Sequence, residues 1–373
     1  MHLINYITPC IFGKGSITRL GEEMSRINIT SPLIITDAGI LNAGIMSRVS
    51  SHLNNYALFD ETSENPTEEN LLKALEKFNI AGCDGVIAVG GGSAMDLAKG
   101  VALIASQGGV FSDYDVKTGG SEHIRRVLPH LAIPTTAGTG AEIGRACVLT
   151  TSDGRKRVAV SLNMVAHGII CDPELTLSLP PVLTAATGID ALSHGIEAYV
   201  SPRYNPPADA IALDTIRRIT TNIETAVTNG TDIHARTEML MGALQGGMVL
   251  QKGLGSAHAM ATPLGEFHIH HGTLIAVLLP HVLKFNDSFL GEKKAALCQA
   301  IGISPEHSLS EWLSGLVTRL GLPTSLNALS VPENKLEQIA EKAEKDHLSA
   351  TNPRPADKSD YVKLLHSAYA GIC

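Results

Sequence analysis

The pattern of apolar positions changes once along the chain. In the first half, short apolar runs stop at turn residues. "PLIIT" (32–36), "GVIAVG" (85–90) and "VLPHLAIPTT" (127–136) read as fully buried strands. Between the first two, "TEENLLKALEKFNIAGC" has helical spacing, with Thr67 as N-cap and glutamates in the first turn. Strand, helix, strand in this rhythm predicts a parallel sheet with helices on both faces. After Pro180-Pro181 the strand pattern ends. Helical periodicity marks 207–228, 233–251, 273–285, 292–302, 308–320, 333–346 and 357–370. The chain therefore divides near 180, into an α/β domain over 1–180 and an all-helical domain over 181–373. Clefts between domains are the usual place for a small-molecule site. There is no internal repeat and no low-complexity linker.

Composition narrows the class. Of 373 residues, 44% are hydrophobic and 18% charged, so a large core is available and disorder is not expected. A net charge of -8 disfavours nucleic acid and anionic membranes as partners. No apolar run reaches the ~20 residues of a membrane span. The start, "MHLINYITPCIFGKGS", lacks the basic and long apolar regions of a signal peptide. The cysteines, Cys10, Cys83, Cys147, Cys171, Cys298 and Cys373, are scattered and form no CxxC pair. That argues against a disulfide framework or a thiolate zinc site and predicts a cytoplasmic location.

Two kinds of candidate chemistry follow. In "VIAVGGGSAMDLAKGVALI" (86–104), three glycines join a strand to a helix. Glycines let the backbone approach a ligand, and a helix start offers unpaired N–H groups to a pyrophosphate. The turn is neither GxGxxG nor a Walker loop. Ser93 is placed to cap the helix, and Asp96 and Lys99 lie on its first turns. Asp37 ends the strand of "LIITDAG", where a carboxylate binds ribose hydroxyls and repels a 2′-phosphate. "IPTTAGTGAE" (133–142) leaves a further strand, rich in hydroxyl donors. Each feature alone is also explained by capping or turn formation.

The second kind sits on "GIDALSHGIEAYVS" (188–201), an apolar helix with Asp190 and His194 on one face. Buried polar groups need partners. Five of the fifteen histidines fall between His258 and His281. His258 lies in a small-residue stretch suited to close helix packing, and His271 starts an apolar helix before Gly272. Three imidazoles and one carboxylate suit a borderline divalent cation, Fe²⁺ or Zn²⁺. A lone histidine in such a place is more often a hydrogen-bonded core residue.

With these residues in view, the chain resembles the iron-containing (group III) alcohol dehydrogenases over essentially its whole length. The resemblance rests on "FGKG", "GGGSAMDLAK", "IPTTAGTGAE", "DPELTLSLPPVLTAATGIDALSHGIEAYVS" and "GLGSAHAMATPLG…HHG", in that order. It implies a dehydroquinate synthase-like fold: a Rossmann-like, dinucleotide-binding α/β domain, then a helical metal-binding domain. It implies Asp190, His194, His258 and His271 as ligands to iron. It implies NAD(H) contacts from Asp37, Asn65, Gly91, Gly92, Ser93, Asp96, Thr135, Thr136, Thr139 and Lys156. A homo-oligomer, dimer or larger, is implied as well.

The chain departs from its relatives at two points. Many members carry a second histidine four residues after the first of the "HxxxHPLG" pattern; here Thr262 stands there. The spacing from His258 to His271 is thirteen residues, where one common arrangement has fourteen, so His270 competes with His271 as ligand. The glycine that follows His271 favours His271. With the usual histidine absent, His268 is the candidate for moving protons. The expected reaction is hydride transfer between NAD(H) and a small alcohol or aldehyde, the metal acting as Lewis acid on the substrate oxygen. Alternatives of the same fold are a glycerol dehydrogenase-like enzyme or a sugar-phosphate cyclase. A cyclase should carry more Lys and Arg over 182–286 than the six present. A catalytically inactive metal- or nucleotide-binding module is the non-enzyme reading, and an NADH-consumption assay separates it.

Overall fold

The computed structural model describes residues 8–371. They form two compact units, one of residues 8–136 and 140–178, the other of 137–139 and 179–371.

The first unit is built on a six-stranded sheet. Its strands are β1 (Cys10–Phe12), β2 (Pro32–Ile35), β3 (Ala57–Phe59), β4 (Gly85–Gly90), β5 (His130–Pro134) and β8 (Gly168–Cys171). Their order across the sheet is β1-β8-β5-β4-β2-β3, and every pair is parallel. Leu33, Ile34, Ile35, Val86, Ile87 and Val89 are completely buried, as strands covered on both faces must be. Helices α1 (Leu20–Arg26), α2 (Ala38–Asn42), α3 (Ile45–Ser50), α4 (Glu68–Ile80) and α5 (Gly92–Gln107) belong to this unit. Thr67 caps α4, and Asn70 completes a reciprocal capping box.

The chain moves outward from β2 to β3, then returns to the other side of β2 with β4. This reversal is the switch point where open α/β sheets bind ligands. Register brings the flanking residues level. Ile35 pairs with Ala88 and Gly90 with Pro134, so Asp37, Gly90 and Thr135 leave neighbouring strands side by side.

Strands β1, β3 and β8 and helices α1 to α3 have no counterpart in the expectations, and neither has an antiparallel hairpin of β6 (Ala146–Thr150) and β7 (Lys156–Val160). Its strands, ACVLT and KRVAV, are five residues each and only partly buried, so they lack the fully buried run that marks the central strands. Its Thr150 N–H donates to the Pro66 carbonyl at 2.9 Å, which ties the hairpin to the start of α4.

The second unit is helical: α6 (Pro181–Val200), α7 (Pro206–Thr228), α8 (Ile233–Val249), α9 (Ser256–Leu264), α10 (His271–Asn286), α11 (Lys293–Ile301), α12 (Leu309–Arg319), α13 (Leu336–Glu344) and α14 (Lys358–Ala370). The expected helices match these closely. Helix α9 is the addition. Eight of its nine residues are buried, so it shows no polar outer face to give it a period. Helix α6 lies at the centre. A Cβ on Gly188 would sit 2.7 Å from Met239 Cε, and one on Gly195 would sit 3.0 Å from Ile216 Cγ1. Those glycines let α7 and α8 close on one face of α6, opposite the face that carries Asp190 and His194. Among the described residues no helix is long and apolar enough to cross a membrane.

Candidate active site

Three ring nitrogens point at one carboxylate oxygen. Asp190 Oδ1 lies 3.6 Å from His194 Nε2, 3.7 Å from His258 Nε2 and 3.6 Å from His271 Nε2. These separations exceed hydrogen-bond distance. They match the spacing of ligands in a tetrahedral shell with bonds of about 2.1 Å, whose edges are roughly 3.4 Å. Asp190, His258 and His271 present ligand atoms within 4.8 Å of one another. Asp190 Oδ1 and His258 Nε2 are buried and have no hydrogen-bond partner. A buried polar atom without a partner calls for an occupant, and a divalent cation satisfies both at once. The donor set therefore fits a metal ion.

The local sequence explains the convergence. Asp190 and His194 stand one turn apart on α6. Gly246 of α8 leaves room for the His194 ring, since a Cβ there would sit 3.3 Å from His194 Cβ. Gly272 brings the start of α10 against α6; a side chain there would collide with the Ala186 carbonyl. His271 thus arrives beside Asp190. Its side chain is 45% exposed, whereas Asp190, His194 and His258 are buried, so the cluster opens on the His271 side.

Glu197, absent from the expected residues, completes the arrangement. Its Oε2 lies 2.5 Å from His258 Nδ1, and its Oε1 accepts the Ala257 N–H at 2.9 Å. One carboxylate thereby orients the ring and fixes the first turn of α9. A proton held on Nδ1 leaves the Nε2 lone pair facing Asp190, the usual arrangement behind a ligating histidine. The signal was present in the sequence: Glu197 follows Asp190 by seven residues and His194 by three, on the same helix face.

Charge reinforces the geometry. Burial alone would raise the Asp190 pKa, but His194, His271 and His258 outweigh it and hold the carboxyl well below its usual range. Burial pushes His194 down to about 4. At His258 burial is overcome by Glu197 and Asp190, which lift it to about 9. The His194 and His258 rings stack with centroids 5.1 Å apart, where two cations would repel. Metal binding at His258 therefore competes with a proton at its Nε2.

Of the neighbouring residues, His270 occupies the N-cap position of α10 without a side-chain capping bond, and it is His271 that reaches Asp190. His270 Nδ1 is buried without a hydrogen bond. His268 is exposed, with a left-handed backbone (φ 55°), and is not in the metal group. The Thr262 hydroxyl donates to the His258 carbonyl at 3.0 Å.

At the carboxyl edge of the sheet, α5 begins at Gly92 with Gly91 as N-cap, and no side chain caps it. Ser93 is therefore not the cap that its position predicted: its hydroxyl donates to the Glu64 carbonyl instead. The first N–H groups of α5 lack a side-chain acceptor, the condition for binding a phosphate. Gly90 has φ 154°, and a Cβ on it would meet Ala94 Cβ at 2.9 Å; one on Gly91 would lie 3.3 Å from Thr136 Oγ1. Thr135 is buried with its hydroxyl unpartnered. Thr139 belongs to the helical unit, as do Ala137 and Gly138.

Asp37 caps α2 through Oδ1, which accepts the Ile40 N–H at 3.1 Å. Its Oδ2 faces the glycine turn, 3.6 Å from where a Gly90 Cβ would be. Lys156 Nζ donates to Asn65 Oδ1 at 3.0 Å, a meeting made by the hairpin. Asp96 is raised to about 6 by burial, against the pull of Lys99 and Lys156. Lys99 is fully buried and donates to the carbonyls of Ala141 (2.7 Å), Gly144 (2.8 Å) and Ala146 (2.9 Å). It anchors the segment after the threonine loop, a role its position on an apolar helix did not disclose.

Comparison with known proteins fits this geometry. Residues 8–173 match the family model described as iron-containing alcohol dehydrogenase, and 184–369 the C-terminal model of the Fe-containing alcohol dehydrogenase family. A 4-hydroxybutyrate dehydrogenase of Cupriavidus necator is 40% identical over 381 residues, covering 99% of this chain and 100% of the relative. A crystal structure of a 1,3-propanediol oxidoreductase superposes with a TM-score of 0.93 at 32% identity, covering 99% of this chain and 100% of that one. The sulfoacetaldehyde reductase of Bifidobacterium kashiwanohense, solved with NAD⁺, gives 0.89 at 26% identity, with 99% of both chains covered.

Proposed function

The chain belongs to the iron-containing alcohol dehydrogenase family, and on that premise we propose that it interconverts a short ω-hydroxy acid and its semialdehyde. It is an oxidoreductase acting on CH–OH groups, metal-dependent and using NAD(H). The observation that carries the metal reading is the convergence of three Nε2 atoms on Asp190 Oδ1. The substrate reading rests on the 40% identity to a 4-hydroxybutyrate dehydrogenase matched end to end.

Asp190, His194, His258 and His271 would hold the ion. When bound, Fe²⁺ supplies Lewis-acid polarisation of the substrate oxygen. Asp190 contributes the one negative charge among the four ligands. Glu197 keeps the His258 proton on Nδ1 and its Nε2 free. Gly91, Gly92 and Ser93 offer the N–H groups of α5 to the pyrophosphate, and Asp37 Oδ2 receives the ribose hydroxyls. Asn65 and Lys156 act as a pair, and we assign Asp96 and the hydroxyls of Thr135, Thr136 and Thr139 to cofactor contact as well. When bound, NAD(H) would supply the hydride donor or acceptor. We assign proton exchange with solvent to His268, whose exposed ring lies three residues before His271.

We place the protein in the cytoplasm as a homo-oligomer without nucleic-acid or membrane partners. The five free cysteines among the described residues and the net charge of -8 support the first and last of these.

The test is NADH consumption by the iron-loaded protein with succinic semialdehyde and with butanal. Preference for the semialdehyde by about tenfold or more in kcat/KM, some 1.4 kcal/mol, supports the proposal. Equal use of both would remove the carboxylate from the substrate description and leave the reaction class in place.

A further inference from the structure

Helices α10 and α14 of the helical unit enclose an open pocket of about 270 Å³. His281, Lys284 and Phe285 line it from α10; Lys363 and Ser367 line it from α14; Arg354 closes one end. His281 stands ten residues beyond His271 on the same helix, about 15 Å along its axis. The pocket is therefore separate from the metal centre.

Its chemistry is one-sided. Lys284 and Lys363 make no ion pair among the described residues. The Arg354 guanidinium stacks on the Phe285 ring at 3.8 Å and donates to the Phe285 carbonyl at 3.1 Å. Asp360 is the one acidic lining residue, and it approaches Arg354 only to 4.0 Å. Three cations thus face one carboxylate. His281 is 4% exposed, and its Nδ1 lies 2.9 Å from Ser367 Oγ. Its Nε2 has no hydrogen bond among the described residues. The His281 imidazole and the Ser367 hydroxyl, bonded to each other and framed by Lys284, Lys363 and Arg354, make a polar floor with a positive rim.

We propose that this pocket binds a small phosphate-bearing anion. Phosphate suits the donor set, since guanidinium and ammonium groups both bind its oxygens through charge-assisted hydrogen bonds. The Phe285 ring supplies an apolar wall for any organic part of the ligand.

The experiment uses the full-length, metal-loaded protein with NAD⁺ saturating, so that the glycine turn is filled. Inorganic phosphate, pyrophosphate and glycerol phosphate are titrated by calorimetry at constant ionic strength, with chloride as control. One saturable site per chain is expected for a phosphate-bearing probe. Tighter binding of glycerol phosphate than of phosphate would identify an organic phosphate as the ligand; the reverse would identify the free ion. Lys284→Ala with Lys363→Ala should weaken binding by about tenfold or more, and leave turnover without the anion unchanged. Both lysines are exposed, so the double variant should fold. No saturable binding at millimolar concentration, or equal binding by wild type and the double variant, would overturn the proposal.

Discussion

At the carboxyl edge of the sheet, the candidate groups are main-chain N–H groups and short side chains on loops. In the helical unit they are ring nitrogens and a carboxylate on three helices. The edge is held by sheet register, which sets Asp37, Gly90 and Thr135 level whatever their side chains. The metal cluster is held by packing: Gly246 and Gly272 set how closely helices approach, and Glu197 aims one ring. A site made of backbone should lose affinity gradually under substitution. A site made of buried side chains should fail abruptly, because each donor left unpaired adds its own desolvation cost.

That contrast can be broken most sharply at Asp190. Asp190→Asn keeps the shape but removes the only negative charge among the ligands. Loss of bound metal and a fall in turnover of about a thousandfold, some 4 kcal/mol, are expected. Elemental analysis and NADH consumption read both. Next comes Glu197→Gln, which frees the His258 ring without touching a proposed ligand. Metal affinity should drop by about 10- to 100-fold, as for other residues that orient a ligand. A competition titration with a chelator measures it, and wild-type affinity would show that helix packing alone positions His258.

His268→Ala sharpens the comparison differently. Turnover should fall by roughly tenfold with metal content intact, as for losing an acid–base group. The pH–rate profile is the readout, and an unchanged profile would remove His268 from proton transfer. The smallest effect is expected at the sheet edge. Asp37→Gly should narrow the preference for NADH over NADPH by a few-fold, up to about tenfold. Wild type using both equally well would separate Asp37 from the ribose.

Much of this was readable from the sequence, for identifiable reasons. The central strands and the long helices announce themselves because burial on both faces, or on one stripe, leaves an unbroken period. The metal residues stand out because Asp190 and His194 interrupt an apolar helix. What stayed hidden depends on contacts distant along the chain. The hairpin that brings Lys156 to Asn65 has strands of only five, partly buried residues. Ser93 occupies a capping position, but its hydroxyl finds Glu64, twenty-nine residues earlier. Lys99 shows only as a residue on the first turns of α5 until three carbonyls, more than forty residues on, surround its amine. Glu197 shares a face with two proposed ligands, yet only the position of α9 reveals that it meets His258.

The central claim is that α6, α9 and α10 together build one metal site on which turnover depends. Exhaustive chelation of the wild-type protein, followed by titration with Fe²⁺ under reducing conditions, tests it directly. Activity should vanish on chelation and return in proportion to iron, saturating at one ion per chain. Full turnover by protein that elemental analysis finds free of metal would contradict it.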